Sequence, residues 1–110
     1  MKFAIPTAGK KLTEHFGHCE HFAIVTVSDK SIEALEYVDP PVHQPGVYPR
    51  FLADLEVDAI IARGMGQRAR QLFAQNNIEV IVGVDGGDPE ELVKQYLSKT
   101  IKSGNNPCDH

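Results

Sequence analysis

The densest group of metal-binding side chains lies between residues 15 and 21. His15, His18, Cys19 and His21 bring three imidazoles and one thiol into seven residues. Imidazole and thiolate are ligands of zinc, copper, iron and metal–sulfur clusters, because these metals favour nitrogen and sulfur donors. The spacing matches no closed zinc-finger pattern, so a polar loop with surface histidines is the alternative interpretation.

A second pair of soft donors stands at the C-terminal end, where Cys108 and His110 follow a polar segment rich in asparagine. We predict that residues 103–110 form a mobile tail. If this tail folds back on the first segment, the two together offer two thiols and four imidazoles. The alternative is a disordered end with an incidental cysteine, although an exposed free cysteine is a liability for oxidation.

The third candidate is Arg63-Gly64-Met65-Gly66, which precedes a predicted helix. Glycines let backbone N–H groups approach a ligand closely, and the N-terminus of a helix carries partial positive charge. Together with Arg63, these features favour an anionic ligand such as a sulfide cluster or a phosphate. The match to a phosphate-binding loop is incomplete, so a tight turn with a packed Met65 is the alternative.

The hydrophobic pattern predicts the elements that position these residues. Strands are predicted at 2–6, 21–27, 31–38, 57–62 and 78–82, and helices at 49–55, 67–75 and from Asp88, as the capping residue, to about residue 97. The alternation in residues 31–38 is poor, so a short helix is the alternative there. Strands that alternate with helices in the second half indicate parallel pairing through right-handed crossovers. The first half supplies a hairpin, so we expect a mixed α/β sheet with helices on its faces.

Three predicted loops follow strands of this sheet, at residues 7–20, 63–66 and 84–87. Ligands of open α/β sheets bind outside the carboxyl ends of the strands, where the strand order reverses. We therefore expect these loops to converge, which would bring the unusual residues together. The loop at 84–87 contains two glycines and is explained more simply as a turn before a helix.

Composition narrows the class of protein. The chain has 110 residues, which fits a single domain over 1–110, and its formal net charge is −4. A negative charge argues against nucleic-acid binding, which usually needs a basic face. No apolar run is long enough for a signal peptide or a membrane span, so we expect a cytoplasmic protein without a membrane partner. Two distant cysteines in that compartment argue against a structural disulfide.

Taken together, the motifs resemble the dinitrogenase iron–molybdenum cofactor biosynthesis family, whose small members are nitrogenase accessory factor-like proteins. The likeness is carried in family order by residues 2–6, 15–22, 62–69 and 104–110. The resemblance implies a ribonuclease H-like three-layer α/β fold. It would have a five-stranded mixed sheet, with the second strand antiparallel, and helices on both faces.

The resemblance also implies a function. It is the non-catalytic binding, carriage or chaperoning of an iron–molybdenum cofactor precursor or related metal–sulfur cluster, with cluster-donor or cluster-acceptor proteins as partners. Carried over by position, the implied metal ligands are His15, His18, Cys19, His21, Cys108 and His110. The implied cofactor-binding residues are Arg63, Gly64, Met65 and Gly66.

Other classes of function stay open at this point. The same ligands would serve a simple zinc- or copper-binding protein with a regulatory or storage role. A thiol redox protein would use Cys19 and Cys108, although the chain has no Cys-x-x-Cys motif. A nuclease needs carboxylates on its central strands to hold metal ions. The first predicted strand has none, and Asp58 stands at the start of its strand.

Overall fold

Strand β1 (Lys2–Ala8) occupies the middle of the sheet, and the rest of the chain is arranged around it. The computed structural model describes residues 1–13, 19–42, 46–84 and 86–98. β1 pairs antiparallel with β3 (His21–Ser28) and parallel with β5 (Ala59–Ile61). Residues 3–7 are all buried, a pattern typical of a strand that is covered on both faces.

The remaining elements extend the sheet and cover its faces. Their bounds are β2 at Lys11–Leu12, β4 at Ser31–Val38, β6 at Glu79–Ile81, α1 at Val47–Asp54, α2 at Gln67–Gln75 and α3 at Pro89–Leu97. The strand order is β4-β3-β1-β5-β6, and β2 pairs with the end of β1. Within this order β3 runs antiparallel to its neighbours, whereas β5 and β6 run parallel to β1. The predicted mixed α/β sheet is confirmed.

The predicted count of five strands is wrong, because the described residues form six. The additional strand is β2, which lies in a segment that we predicted as one long loop. Gly9 (φ 62°) and Lys10 (φ 65°) make a two-residue turn in which both residues are left-handed. That conformation matches the twist of a tight hairpin. It folds β2 back onto β1 in antiparallel pairing. The sequence did not predict β2, because two residues are too few to show an alternating pattern.

The hairpin of β3 and β4 is confirmed. Asp29 (φ 51°) and Lys30 (φ 64°) form another two-residue left-handed turn between the strands. The pairing register shifts once, between Thr26 and Val27. β4 is an edge strand in which no residue is fully buried, which explains why its alternation is weak in the sequence.

The two faces of the sheet carry separate cores. Ala4, Phe22 and Ile60 pack on the face covered by α1 and α2. The residues that alternate with them, including Phe3 and Ala23, pack on the opposite face against α3. This alternation follows from the two-residue period of a strand. The expected helices on both faces are therefore present.

Several boundaries differ from the predictions by one or two residues. α1 begins at Val47 and not at residue 49, and β5 and β6 are each shorter than predicted. α2 has the predicted bounds. α3 begins with Pro89 at its first turn, but the side chain of Asp88 makes no capping hydrogen bond. The predicted tail at 103–110 lies outside the described residues. None of the described helices combines the length and apolar character needed to cross a membrane.

Truncation of Phe22 tests the core beneath α1. Its side chain is fully buried, and its ring meets the ring of Tyr48 edge-on at a centroid distance of 5.1 Å. We expect Phe22→Ala to lower the free energy of unfolding by about 3–5 kcal/mol, through lost burial and a cavity. Urea unfolding followed by circular dichroism measures this. Val42, which is 78% exposed, provides the control, and Val42→Ala should cost below about 0.5 kcal/mol. Equal effects of the two changes would contradict the core assignment.

Candidate functional site

The carboxyl ends of the three parallel strands β1, β5 and β6 meet at one edge of the sheet. We call this the carboxyl edge and define it as residues 9–13, 19–20, 62–66, 82–84 and 86–87. The backbone N–H of Leu12 donates to the carbonyl of Gly87 at 3.0 Å, which joins the first segment to the third. The N–H of Gly83 donates to the carbonyl of Arg63 at 2.9 Å, which joins the third to the second. The predicted convergence of the loops is confirmed.

Hydrogen bonds fix the end of the first segment against β1. The N–H of Glu20 donates to the carbonyl of Thr7, and the Glu20 carboxylate accepts from the N–H of Gly9, both at 2.7 Å. The Thr7 hydroxyl donates to the carbonyl of His21 at 2.9 Å. Thr13, on the other side of residues 14–18, donates its N–H to the carbonyl of Pro6 at 2.9 Å. Both flanks of residues 14–18 are therefore held at the carboxyl edge.

Cys19 lies in the core and is only 8% exposed. It belongs to the buried cluster on the α1 and α2 face, which also contains Tyr48 and Met65. Burial raises the pKa of the Cys19 thiol, and a hydrogen bond with the Tyr48 hydroxyl offsets part of this rise in pKa. The thiolate is the form that binds metals and attacks electrophiles. This environment therefore favours the protonated, less reactive thiol.

His21 lies on the other side of the sheet from Cys19. In β3 the odd-numbered positions face α3 and the even-numbered positions face α1 and α2. The imidazole of His21 is about half exposed, and its Nε2 lies 3.3 Å from a carboxylate oxygen of Asp39. Its ring also meets the ring of Tyr37 edge-on. The structure therefore does not bring the side chains of Cys19 and His21 together.

The second segment divides into buried and accessible residues. Gly64 is buried, and Met65 is 1% exposed and packs in the core. Arg63 is half-buried, and Gly66 is exposed. Of the four predicted cofactor-binding residues, Arg63 and Gly66 are the two that reach the surface.

Gly66 is the N-cap of α2 and leaves the start of this helix open. It makes no side-chain cap, and no acidic residue stands in the first turn. Its backbone is extended (φ −63°, ψ 155°), and a Cβ at this position would meet no atom of the described residues within 4 Å. Neither strain nor crowding therefore requires a glycine among the described residues. What the glycine provides is open access to the first N–H groups of α2, which attract anions.

The predicted metal ligands are only partly described. Cys19 and His21 have the positions given above, whereas His15, His18, Cys108 and His110 lie outside the described residues. In the described ranges no group of three or more His, Cys, Asp or Glu side chains could hold a metal ion. A shared site formed by the first loop and the tail therefore stays a prediction.

Two residues that contact the candidate ligands, Tyr48 and Asp39, could not be identified from the sequence. Tyr48, which contacts Cys19, precedes the predicted start of its helix at residue 49, so its inward direction did not follow from the helical pattern. Asp39 precedes two prolines in a segment predicted to be irregular. Its contact with His21 depends on the pairing of β3 with β4, which places Val38 opposite Phe22.

The raised pKa of Cys19 predicts how its contribution to stability depends on pH. The unfolded chain loses the thiol proton near about pH 8.5, whereas the folded protein keeps it to higher pH. The contribution of the Cys19 thiol to the free energy of unfolding is thus fully present below that pH, and it falls as the pH rises toward the pKa of the thiol in the folded protein. We expect the difference in free energy of unfolding between wild type and Cys19→Ala to shrink between about pH 7.5 and about pH 9.5. Urea titrations measure it, and a difference that grows with pH would contradict the buried thiol.

Comparison with known proteins places the chain in a family. Its sequence is 34% identical over 107 residues to the uncharacterised protein MJ0580 of Methanocaldococcus jannaschii, and the match covers 93% of this chain and 90% of that protein. The crystal structure of PH0822 superposes with a TM-score of 0.86 at 26% identity and covers 94% of each chain. The apo form of the orange protein from Desulfovibrio gigas has a TM-score of 0.77 at 21% identity, over 96% of this chain and 94% of that one. Residues 1–99 match the family described as dinitrogenase iron-molybdenum cofactor, and the chain therefore belongs to this family.

Proposed function

We propose that this protein binds a metal–sulfur cluster of the iron–molybdenum cofactor type as cargo and carries it without catalysing a reaction. Family membership supports association with an iron–molybdenum cofactor. The observation that carries the proposal is the open start of α2 at the carboxyl edge, with Gly66 as its N-cap. Three points stay predictions: that the fold is ribonuclease H-like, that the protein is cytoplasmic, and that its partners are proteins that donate or accept a cluster.

The charge of the cargo explains why this edge suits it. A sulfide-bridged cluster with carboxylate or thiolate ligands is an anion. The N–H groups in the first turn of α2, which have no partner within the helix, would donate to it, and the dipole of the helix would stabilise its charge. Arg63 stands at the same edge and adds a permanent positive charge. Such contacts hold an anion without forming bonds to the metal, which suits a carrier that must release its cargo.

Soft donors would complete the site. The described flanks of residues 14–18 are both anchored at the carboxyl edge, as shown by the hydrogen bonds of Thr13 and Glu20. We propose His15 and His18 as ligands that reach the cargo from this segment, and Cys108 with His110 as ligands from the C-terminal end. Cys19 has a supporting role, because its buried thiol anchors the segment in the core next to Tyr48.

Anaerobic reconstitution tests the proposal directly. The protein is incubated with iron, sulfide and molybdate, passed through a desalting column, and analysed by visible absorption and metal content. We expect iron and molybdenum to elute with the protein and the absorbance to extend into the visible. His18→Ala and Cys108→Ser should each reduce the bound metal by at least about tenfold, in line with the loss of a metal-bound group.

His43→Ala is the matched control, because this histidine is not among the predicted ligands, and it should leave the metal content unchanged. Folded protein that binds no cluster would overturn the proposal. Colourless protein that binds zinc through the same residues would instead support the simple metal-binding alternative.

A pair of substitutions at Gly66 tests the open helix start separately. Gly66→Asp would place a carboxylate where it can cap α2, so we expect stability to stay equal or rise by a few tenths of a kcal/mol. The same carboxylate would repel an anionic cargo and occupy the N–H groups, so binding should weaken at least about tenfold. Gly66→Ala fits the same backbone without charge and is the control. Thermal unfolding and metal titration measure the two effects. Equal binding by both variants would exclude the start of α2 from the site.

A further inference from the structure

The outer edge of β6 has backbone groups that no described residue pairs with. β6 is the last strand in the order, and its inner side is bonded to β5. The N–H of Glu79 donates to Asp58, the carbonyl of Ile81 accepts from Ala62, and the N–H of Gly83 donates to Arg63. Because alternate residues of a strand direct their backbone groups to opposite sides, those of Val80 and Val82 point away from the sheet.

A groove of about 490 Å³ runs along this edge beneath α2. Gln67, Arg70, Gln71 and Ala74 of α2 line one wall, at the spacing of a single helical face. Ile78 and Val80 are among the residues that line the opposite side. The small side chain of Ala74 leaves room for an incoming chain. The groove therefore combines a wall of long polar side chains with backbone groups of an edge strand that have no partner among the described residues.

The charge of the groove selects the kind of segment that fits. α2 contains two arginines and no carboxylate, and Arg70 lines the groove directly. Glu79 also borders it and keeps its negative charge. Its carboxylate accepts a hydrogen bond from the Tyr96 hydroxyl at 3.0 Å, and Tyr96 packs on the α3 face, so this charge lies on the side of the sheet away from α2. On the α2 side, the groove thus offers a guanidinium and two amides, which match the carboxylates of an acidic chain.

We propose that the edge of β6 binds an extended acidic segment of a partner protein as an additional strand. The segment would bond to the backbone of Val80 and Val82, and its carboxylates would meet Arg70 and the glutamines. A second copy of this chain fits less well, because symmetric pairing would place two arginine-lined grooves against each other. The site adjoins the start of α2, so a bound partner would lie beside the proposed cargo.

The experiment titrates isotope-labelled protein with capped hexapeptides and follows its amide signals by NMR. One set of peptides alternates valine with glutamate or aspartate, and a matched set alternates valine with lysine. We expect acidic peptides to shift the amide signals of Val80 and Val82 and to slow their exchange with solvent. Binding should weaken with salt, because it depends on charge. The lysine peptides should bind at least about tenfold more weakly.

Variants separate the groove from non-specific charge effects. Arg70→Glu should reduce the affinity for acidic peptides at least about tenfold, and Ala74→Tyr should reduce it by filling the groove. Arg50→Glu is the matched control, because Arg50 is an exposed arginine on α1, outside this groove, and it should have little effect. The proposal fails if no acidic peptide shifts the Val80 and Val82 signals, or if lysine peptides bind equally well. It also fails if sedimentation shows that the free protein is a dimer and that Arg70→Glu or Ala74→Tyr dissociates it.

Discussion

The pairing of β1 on both of its sides is the constraint on which the rest of the structure depends. At its start, the N–H of Lys2 donates to a carboxylate oxygen of Asp58, and the N–H of Asp58 donates to the carbonyl of Lys2, both at 2.8 Å. This reciprocal contact fixes the register between β1 and β5. Since parallel strands in register end at the same edge of the sheet, the loops that follow them lie close together at that edge. The bond between Leu12 and Gly87 is a consequence of that arrangement.

Elements whose own residues determine their structure could be predicted from the sequence. The β3–β4 hairpin has two eight-residue strands and a short polar turn, and α2 is bounded by glycine on one side and two asparagines on the other. β2 could not be predicted, because its pairing depends on the left-handed backbone of Gly9 and Lys10 and on the end of β1. Two residues carry too little pattern to reveal a strand. The fold class was therefore predictable, whereas the strand count was not.

The candidate site was predictable only at the level of segments. Sequence spacing places Cys19 two residues before His21, and this proximity suggests a shared role. In the structure, the alternation of β3 and the burial of Cys19 beside Tyr48 direct the two side chains to opposite faces. Met65 likewise packs in the core, although the next residue, Gly66, is exposed. Which donor faces the ligand depends on tertiary packing, and no local pattern contains that information.

Burial of the Cys19 thiol bears on how a cargo protein of this kind would work. A thiol in the core exchanges slowly and favours its protonated form, so Cys19 is poorly suited to a rapid redox cycle or to direct capture of a metal. It is better suited to anchoring the chain at the flank of residues 14–18. Recognition by the first turn of α2, as proposed, would have the opposite property, because hydrogen bonds to an anion form and break quickly. The proposal thus implies two kinds of group: buried side chains that fix the carboxyl edge, and accessible backbone N–H groups and soft donors that would contact the cargo.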